Sequence, residues 1–303
     1  MLGAAVLFGT TGTASALGPP GATPFTIGTL RIVIGAAALW CSAPQRPSLS
    51  ELRRHLRLFA LGALGVAAYQ PALFTGTARC GVALGTVVAL GSGPLFTGLI
   101  EWLWMRRVPA SAWWVATAVT IAGGALLVLA AGEAGTVGVA GTVGVAGTVG
   151  VAGTVGVADP LGVLGALGAG LSYALYAVAA GRLIRLGVHS TEALAWPFTL
   201  GAVLLLPGLI GQSLGRVVEW RGVLMLAELG LATVGLANGL YGYGLRTLVP
   251  STAVTLTLAE PLTAALLGVI VLGEHLQPFG WLGAALVVAG LALAGGVLDR
   301  YWS

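Results

Sequence analysis

Charge is scarce throughout the sequence. Only 8% of its 303 residues are charged and 57% are hydrophobic, whereas an average soluble domain carries about 25% charged residues. Lysine is absent, all 14 basic residues are arginines, and the only aspartates are Asp159 and Asp299. Since such a chain cannot cover a water-exposed surface with polar groups, the composition excludes a soluble globular protein and predicts one that lies in a lipid bilayer.

Motifs for nucleotide, metal and nucleic-acid binding are also missing. The sequence has no GxxxxGK loop and no HExxH, so ATP-driven transport by this chain and a zinc hydrolase site are not expected. Its three histidines form no cluster with metal-ligand spacing, and we expect no cofactor. The arginines are spread over loops without interleaved aromatic residues, so nucleic acid is not an expected partner.

Cysteine is equally scarce. Cys41 and Cys80 have no CxxC neighbour, and the topology predicted below places them on opposite membrane faces. A disulfide bond between them is therefore not expected, and we interpret both as small packing residues.

Long apolar runs dominate the remainder of the chain. Runs of about 20 apolar residues are long enough to cross a bilayer, and ten such spans are predicted. Their ranges are 1–17, 24–42, 57–78, 82–105, 111–131, 160–182, 192–212, 222–244, 251–272 and 279–298.

The arginines fall unevenly on the two predicted membrane faces. If both termini are cytoplasmic, ten arginines lie on the cytoplasmic side, and only Arg79, Arg216 and Arg221 lie on the other. Because cytoplasmic loops are enriched in positive charge, we expect a multi-pass protein of the cytoplasmic membrane with both termini inside.

A low-complexity segment separates two halves of the chain. Residues 135–158 are four copies of Gly-Thr-Val-Gly-Val-Ala. Glycine at every third position opposes a lipid-exposed helix, and an eleventh span would move the later arginines to the outer face. We therefore interpret 134–158 as an extracytoplasmic linker between two units, residues 1–133 and 159–303.

The two units resemble each other at a constant offset of 167 residues. Over Arg79–Leu126, 12 of 48 positions are identical, including Pro94 with Pro261. Five spans per unit is an odd number, so the second unit must enter the membrane inverted. The predicted fold is therefore an all-α integral membrane protein of ten transmembrane helices in two inverted five-helix repeats, an architecture of secondary transporters.

Segments with a helix-breaking proline lie at matched depths in spans 4 and 9. These are Gly91-Ser92-Gly93-Pro94 in one repeat and Ala259-Glu260-Pro261 in the other. Proline frees a backbone carbonyl, which is tolerated in hydrocarbon only beside protein or water. We therefore expect the substrate path beside these residues. A pair of packing kinks is the alternative.

Two charged residues inside predicted spans need a cavity or a partner. Glu260, near the midplane, is a candidate for binding a substrate amine, for carrying a proton or for capping broken backbone. Arg31, in span 2, is a candidate for attracting a carboxylate or for pairing with a glutamate such as Glu228. Snorkelling of Arg31 to the outer headgroups is the alternative.

Polar and aromatic side chains concentrate on spans 3, 6 and 8. Interhelical hydrogen bonding is the simpler account of such residues, but their concentration also suggests a lined pocket. The residues are Tyr69, Gln70, Tyr173, Tyr176, Asn238 and Tyr241.

Several short motifs point together to one family. They are Phe8-Gly9, Thr29-Leu30-Arg31, Glu260-Pro261-Leu262, Leu272-Gly273-Glu274, and the segments 122–126 and 289–293. In their order and spacing they resemble the EamA-type members of the drug/metabolite transporter superfamily. The sequence departs from the family pattern at Phe8, where tryptophan is usual, and in the hexapeptide linker.

The resemblance implies inverted five-span repeats around a central cavity, with Glu260-Pro261 beside it and Arg31 as the basic position of span 2. We expect a secondary transporter, not an enzyme, that exports small metabolites such as amino acids by alternating access. Alternatives are drug efflux, an intramembrane enzyme or a non-transporting scaffold. The expected partners are a small-molecule substrate and the lipid bilayer, and no oligomeric state is predicted.

Overall fold

The computed structural model describes residues 1–19, 21, 23–43, 48–106, 109–133, 159–212, 214–273 and 275–302. Within them all regular structure is helical and no strand occurs, as the predicted all-α fold requires. The predicted linker, residues 134–158, and Glu274 lie outside the described residues. The α-helices in chain order are α1 (Leu2–Ala16), α2 (Pro24–Ser42), α3 (Leu49–Arg54), α4 (Leu56–Cys80), α5 (Val82–Met105), α6 (Ser111–Glu133), α7 (Pro160–Arg185), α8 (Ser190–Leu205), α9 (Trp220–Ala227), α10 (Ala237–Gly244), α11 (Pro250–Thr257), α12 (Glu260–Leu272) and α13 (Pro278–Trp302).

Nine helical segments of the described residues are long and apolar enough to cross a membrane, and three of them, Ser190–Leu209, Trp220–Gly244 and Pro250–Leu272, each combine consecutive shorter helices. Each coincides with one of the predicted spans 2 to 10. Span 1 corresponds to α1, which has 15 residues, or about 22 Å at 1.5 Å per residue. That is shorter than a hydrocarbon core of about 30 Å, so the tenth span stays a prediction.

The two predicted helix breaks differ in the structure. Span 9 is interrupted between Thr257 and Glu260, and Pro261 lies in the first turn of α12, where proline costs no helical hydrogen bond. In contrast, α5 continues through Pro94. Pro94 is buried, and neighbouring helices stabilise such an interior proline in a membrane helix.

Span 8 contains a distortion that the sequence did not indicate. Between α9 and α10 the chain forms a π-helix over Glu228–Leu236. A π-helix is rare and widens the helical turn, so it changes which side chains face the interior. Leu206–Leu209 forms a short 3₁₀ segment after α8.

Close backbone contacts hold the bundle together. α4 packs along α7, and α6 along α13. A Cβ atom on Gly76 would lie 2.8 Å from the backbone nitrogen of Ala166. A Cβ on Gly123 would likewise lie 2.6 Å from the backbone nitrogen of Val287. These two glycines let the helices approach more closely than any side chain would allow.

The outer surface of the bundle is apolar. Large hydrophobic side chains on the membrane-length helices are exposed, for example Leu103, Leu164 and Ile270. Exposed apolar area of this extent suits a lipid environment. Arg182 lies over the ring of Trp104 at one end of the bundle, with its guanidinium carbon 5.6 Å from the ring centroid.

Candidate functional site

A cavity of about 140 Å³ lies in the middle of the helix bundle. A single water molecule requires roughly 10–15 Å³ of such space. The cavity therefore has room for a small metabolite. The lining residues are Phe8, Thr11, Arg31, Ile32, Gly65, Val66, Tyr69, Gln70, Ala89, Leu90, Tyr173, Tyr176, Phe198, Thr233, Val234, Asn238, Val254, Thr257, Leu258 and Glu260.

Most of the residues singled out in the sequence meet at this cavity. They come from five different predicted spans, which only the tertiary fold brings together. Their role in binding stays a prediction. Those that line the cavity are Arg31, Tyr69, Gln70, Tyr173, Tyr176, Asn238 and Glu260.

Four predicted residues lie outside the lining. The Ser92 hydroxyl donates to the Ala89 carbonyl at 3.2 Å, at the α5–α7 contact. Pro94 is buried within α5, and Pro261 borders a separate, small apolar void. Tyr241 is fully buried behind the cavity wall, against Tyr176.

Arg31 lies in α2, whose start is fixed by the Thr23 hydroxyl accepting from the Thr26 backbone amide at 3.3 Å. Its guanidinium points to Gln70 of α4. With the amide oxygen of Gln70 turned toward Arg31, Oε1 accepts from Nε at 3.2 Å and from Nη2 at 2.9 Å. The Arg31 guanidinium is therefore held at the cavity by a neutral side chain, that of Gln70.

Two carboxylates are the electrostatic neighbours of Arg31, namely Glu260 and Glu228. In the described part of the chain, however, no carboxylate oxygen lies within 4.0 Å of its guanidinium nitrogens. Glu228 instead accepts a hydrogen bond from the Thr10 hydroxyl at 2.5 Å. The predicted Arg31–Glu228 pairing is therefore an attraction at a distance, not a salt bridge.

Glu260 is the first residue of α12 and is half-buried at the cavity. Among the described residues, no side chain or backbone amide donates a hydrogen bond to its carboxylate. Capping of the broken backbone by Glu260, one of the predicted roles, is thus not a contact that the described residues make. The carboxylate is available to a ligand in the cavity.

Tyrosines form one wall of the cavity. The ring of Tyr176 stacks on that of Tyr241, with centroids 6.1 Å apart, and Tyr173 lies 6.3 Å from Tyr176. The Tyr176 hydroxyl donates to Asn238 Oδ1 at 2.8 Å, and the Tyr173 hydroxyl lies 3.1 Å from Thr257 Oγ1. These hydrogen bonds tie α7 to α10 and α11 and fix the aromatic wall.

Comparison with known proteins then identifies the family. Residues 1–129 and 160–296 match the sequence model of the EamA-like transporter family. The chain belongs to this family. It is therefore a multi-pass membrane transporter of the drug/metabolite transporter superfamily, as the sequence motifs predicted.

Individual relatives agree with this assignment. An uncharacterized transporter of Bacillus subtilis, YwfM, is 36% identical over 289 residues, which are 95% of this chain and 90% of the relative. An uncharacterized transporter of Archaeoglobus fulgidus is 32% identical over 127 residues, 42% of this chain and 44% of its own length. One solved crystal structure covers 99% of this EamA-like chain and 97% of its own, with a TM-score of 0.77 and 22% identity; that identity supports the fold alone.

Family membership indicates a transporter rather than an enzyme. One pentapeptide of this EamA-like chain, Gly211–Gly215, has the GxSxG spacing of hydrolase nucleophiles. The serine of that pentapeptide, Ser213, lies outside the described residues. The described residues contain no group of three or more His, Cys, Asp or Glu side chains that could hold a metal ion.

The sequence did not indicate that apolar residues and threonines would line the cavity of this EamA-like chain. Phe8 and Thr11 of α1 line it one helical turn apart, and Thr257 and Glu260 line it from the two sides of the break between α11 and α12. The position of Thr257, three residues before the predicted break at Glu260-Pro261, is a signal that could have found it. The apolar lining residues carry no such signal, because nearly every helix of this chain is apolar on all faces.

Proposed function

We propose that this EamA-like transporter is a secondary transporter that exports a small polar metabolite, such as an amino acid, across the cytoplasmic membrane. The observation that carries the proposal is the presence of Arg31 and Glu260 in one cavity. They bring opposite charges from α2 and α12, and neither has an ion-pair partner within 4.0 Å among the described residues.

An ionised side chain inside a membrane costs several kcal/mol unless it is paired or hydrated. A zwitterionic substrate offsets this cost at both ends, because its anionic group neutralises Arg31 and its cationic group neutralises Glu260. The aromatic wall formed by Tyr69, Tyr173 and Tyr176 then contacts the apolar part of the substrate. A mostly apolar pocket with a few convergent polar groups is typical of small-molecule sites.

Alternating access requires two interchangeable halves, and the helix packing supports the predicted inverted repeats of residues 1–133 and 159–303. The contact of α1 with α12 corresponds, at the offset of 167 residues, to the contact of α7 with α5. The contact of α2 with the π-helix corresponds to that of α8 with α4. The same offset maps α2 onto α8 and α6 onto α13. The contacts α2–α8 and α6–α13 therefore each join a helix to its own counterpart in the other unit.

The two ends of the cavity differ, which supports a transporter captured in one of its two openings. At the end where α7 stops and α11 begins, a Cβ on Gly181 would lie only 2.6 Å from the Pro250 ring. There Glu101 also accepts from the Ser251 backbone amide at 3.3 Å. The corresponding pair at the opposite end, α1 with α5, does not pack extensively within the described residues.

Under the proposed topology the tightly packed end is cytoplasmic, and the cavity opens toward the outside. Reporter fusions at residue 145 and at Ser303 test this topology. We expect the insertion at 145 to be extracytoplasmic and Ser303 to be cytoplasmic. Termini on different faces of the membrane would contradict both the inverted repeats and the mechanism built on them.

Flux of amino acids into proteoliposomes tests the transport itself. The variant Glu260→Gln keeps the size of the side chain and removes its charge. Because a hydrogen bond to a charged group is worth about 1.5–3 kcal/mol, we expect saturable counterflow of a zwitterionic substrate to fall roughly tenfold or more.

Glu219→Gln is the matched control, since Glu219 pairs with Arg216 at the surface at 3.6 Å and lies outside the cavity. Its counterflow should equal that of the wild type, and all three proteins should elute as single species with similar melting temperatures. Undiminished flux in a folded Glu260→Gln protein would remove Glu260 from the substrate site.

The aromatic wall favours efflux of an amphipathic organic cation as a second candidate function. Tyrosine faces attract cations at about 0.5–2 kcal/mol, and Glu260 supplies the countercharge. The same counterflow assay separates the two functions. Competition by a hydrophobic amine without a carboxylate, but not by amino acids, would favour drug efflux.

A further inference from the structure

Arg31 and Gln70 are joined by a pair of directed hydrogen bonds, which packing of α2 against α4 alone would not require. Gln70 is only 2% exposed. With its amide oxygen turned toward Arg31, as hydrogen bonding requires, that oxygen accepts from both Nε and Nη2, at 3.2 Å and 2.9 Å. Two acceptor contacts from one oxygen fix the plane of the guanidinium. The remaining donors of Arg31 are thereby left for the cavity.

A glycine makes room for this contact. A Cβ atom on Gly28, one turn before Arg31 in α2, would lie 2.7 Å from the tip of the Gln70 amide and 3.1 Å from its carbonyl carbon. An alanine at this position would therefore displace the amide that holds Arg31. Gly28, Arg31 and Gln70 thus form one unit across the α2–α4 contact.

The partner that contacts Arg31 is neutral, and this neutrality determines how strongly Arg31 can attract an anion. Carboxylates are within electrostatic reach of Arg31, at Glu228 and Glu260, but the group in contact with it is a neutral amide. A neutral acceptor orients the guanidinium without cancelling its charge. A carboxylate in the same place would pair with it bidentately and remove its attraction for an external anion.

We propose that Gln70 is a positioning residue that presents an uncompensated Arg31 to the carboxylate or other anionic group of the substrate. This inference deepens the proposed function and rests on it for the identity of the substrate. It assigns anion recognition to the α2–α4 side of the cavity, opposite in sign to Glu260. Gly28 permits the arrangement.

The test measures Arg31 directly by mass spectrometry of phenylglyoxal labelling in the purified full-length protein. Benzoate and benzylamine serve as probes of similar size and opposite charge. In the wild type, benzoate should slow labelling of Arg31 roughly tenfold, as expected for a charge-assisted contact, and benzylamine should not. Arg216, an exposed loop residue, is the internal reference that neither probe protects.

Two variants test the role of Gln70. Gln70→Glu should abolish the protection by benzoate, because the new carboxylate occupies the guanidinium. Gly28→Ala keeps both polar residues and should reduce the protection severalfold by displacing the amide. Protection equal to the wild type in both folded variants, or no protection of the wild type, would overturn the inference.

The experiment separates this inference from the proposed function. Benzoate protection that depends on Gln70, together with an absence of amino-acid counterflow, would retain the anion subsite and reject amino-acid transport. Amino-acid counterflow without Gln70-dependent protection would retain amino-acid transport and reject the anion subsite. If Gln70→Glu fails to fold, Gly28→Ala alone decides, since an alanine displaces only the end of a flexible side chain.

Discussion

At the scale of single residues, the cavity is asymmetric although the two predicted units resemble each other in sequence. The offset of 167 residues places Arg31 opposite Phe198, which also lines the cavity. The same offset places Glu260 opposite Gly93. Each unit therefore supplies one charge, and neither charge is repeated. Under the proposed mechanism the two units would provide two equivalent openings, and single residue differences between the units give the cavity its polarity.

A residue outside the membrane gives a pH-dependent prediction. Asp159 caps α7 by accepting from the Leu161 backbone amide at 3.1 Å and pairs with Arg79 of α4 at 2.9 Å. The Arg79 hydrogen bond, followed by that from Leu161, lowers the pKa of Asp159 below its ordinary value. A carboxyl group with a lowered pKa in the folded state stabilises that state above the unfolded pKa, and this stabilisation is lost as the pH falls.

We therefore expect Asp159→Asn to lower the melting temperature slightly at neutral pH, since the ion pair is solvent-exposed and screened. The difference from the wild type should shrink as the pH falls through the carboxyl range near pH 4. Thermal unfolding in detergent at several pH values measures this. A difference that grew toward acid pH would contradict the assignment of the pair.

At the scale of elements, sequence signals fixed some boundaries and missed others for physical reasons. The predicted range 24–42 coincides with α2, because Thr23 and Pro24 form a strong helix start. Most candidate site residues line the cavity, because polar side chains in a membrane must find a partner in the protein interior. The π-helix over Glu228–Leu236 and the continuity of α5 depend on neighbouring helices, so no local pattern could reveal them.

The α4–α7 contact yields a prediction about helix packing. A Cβ on Gly76 would lie 2.8 Å from the Ala166 backbone nitrogen, an atom that cannot move without the whole of α7. Gly76→Ala should therefore destabilise the protein by about 1–3 kcal/mol, the usual cost of overpacking. Gly239→Ala is the control, because a Cβ there has no neighbour within 4 Å.

Reversible unfolding in mixed micelles gives the free energies of both glycine variants. The control should equal the wild type or exceed it slightly, because alanine has the higher helix propensity. If Gly76→Ala proved as stable as Gly239→Ala, α4 and α7 would not approach as closely as described. The α4–α7 contact would then require revision before any of the site geometry that depends on α4, including Gln70.

At the scale of the whole molecule, the proposed alternating access makes the unequal ends of the cavity one side of an equilibrium, which a single methyl group should shift. The tightly packed end depends on the approach of α7 to α11, where a Cβ added to Gly181 would lie 2.6 Å from the ring of Pro250. Gly181→Ala should penalise this closed end and leave the opposite end unaffected. The population open at the α7–α11 end should therefore increase.

Labelling of a cysteine in the cavity measures that population. Val254→Cys, at a buried lining position of α11, is introduced after Cys41 and Cys80 are replaced by serine. In inside-out vesicles a membrane-impermeant maleimide should label it severalfold faster with Gly181→Ala, since a shift of about 1.4 kcal/mol changes a population ratio tenfold.

Gly168→Ala is the control on the same helix, because its Cβ would meet only the Ala72 side chain at 3.5 Å. It should leave the labelling rate unchanged. An equal rate in all three proteins would mean that the α7–α11 contact does not limit access from this face. The two ends of the cavity would then have to interconvert by movement of other helices. The pair α4 with α8 would be the next to test, since these helices, unlike α7 and α11, join the two predicted units.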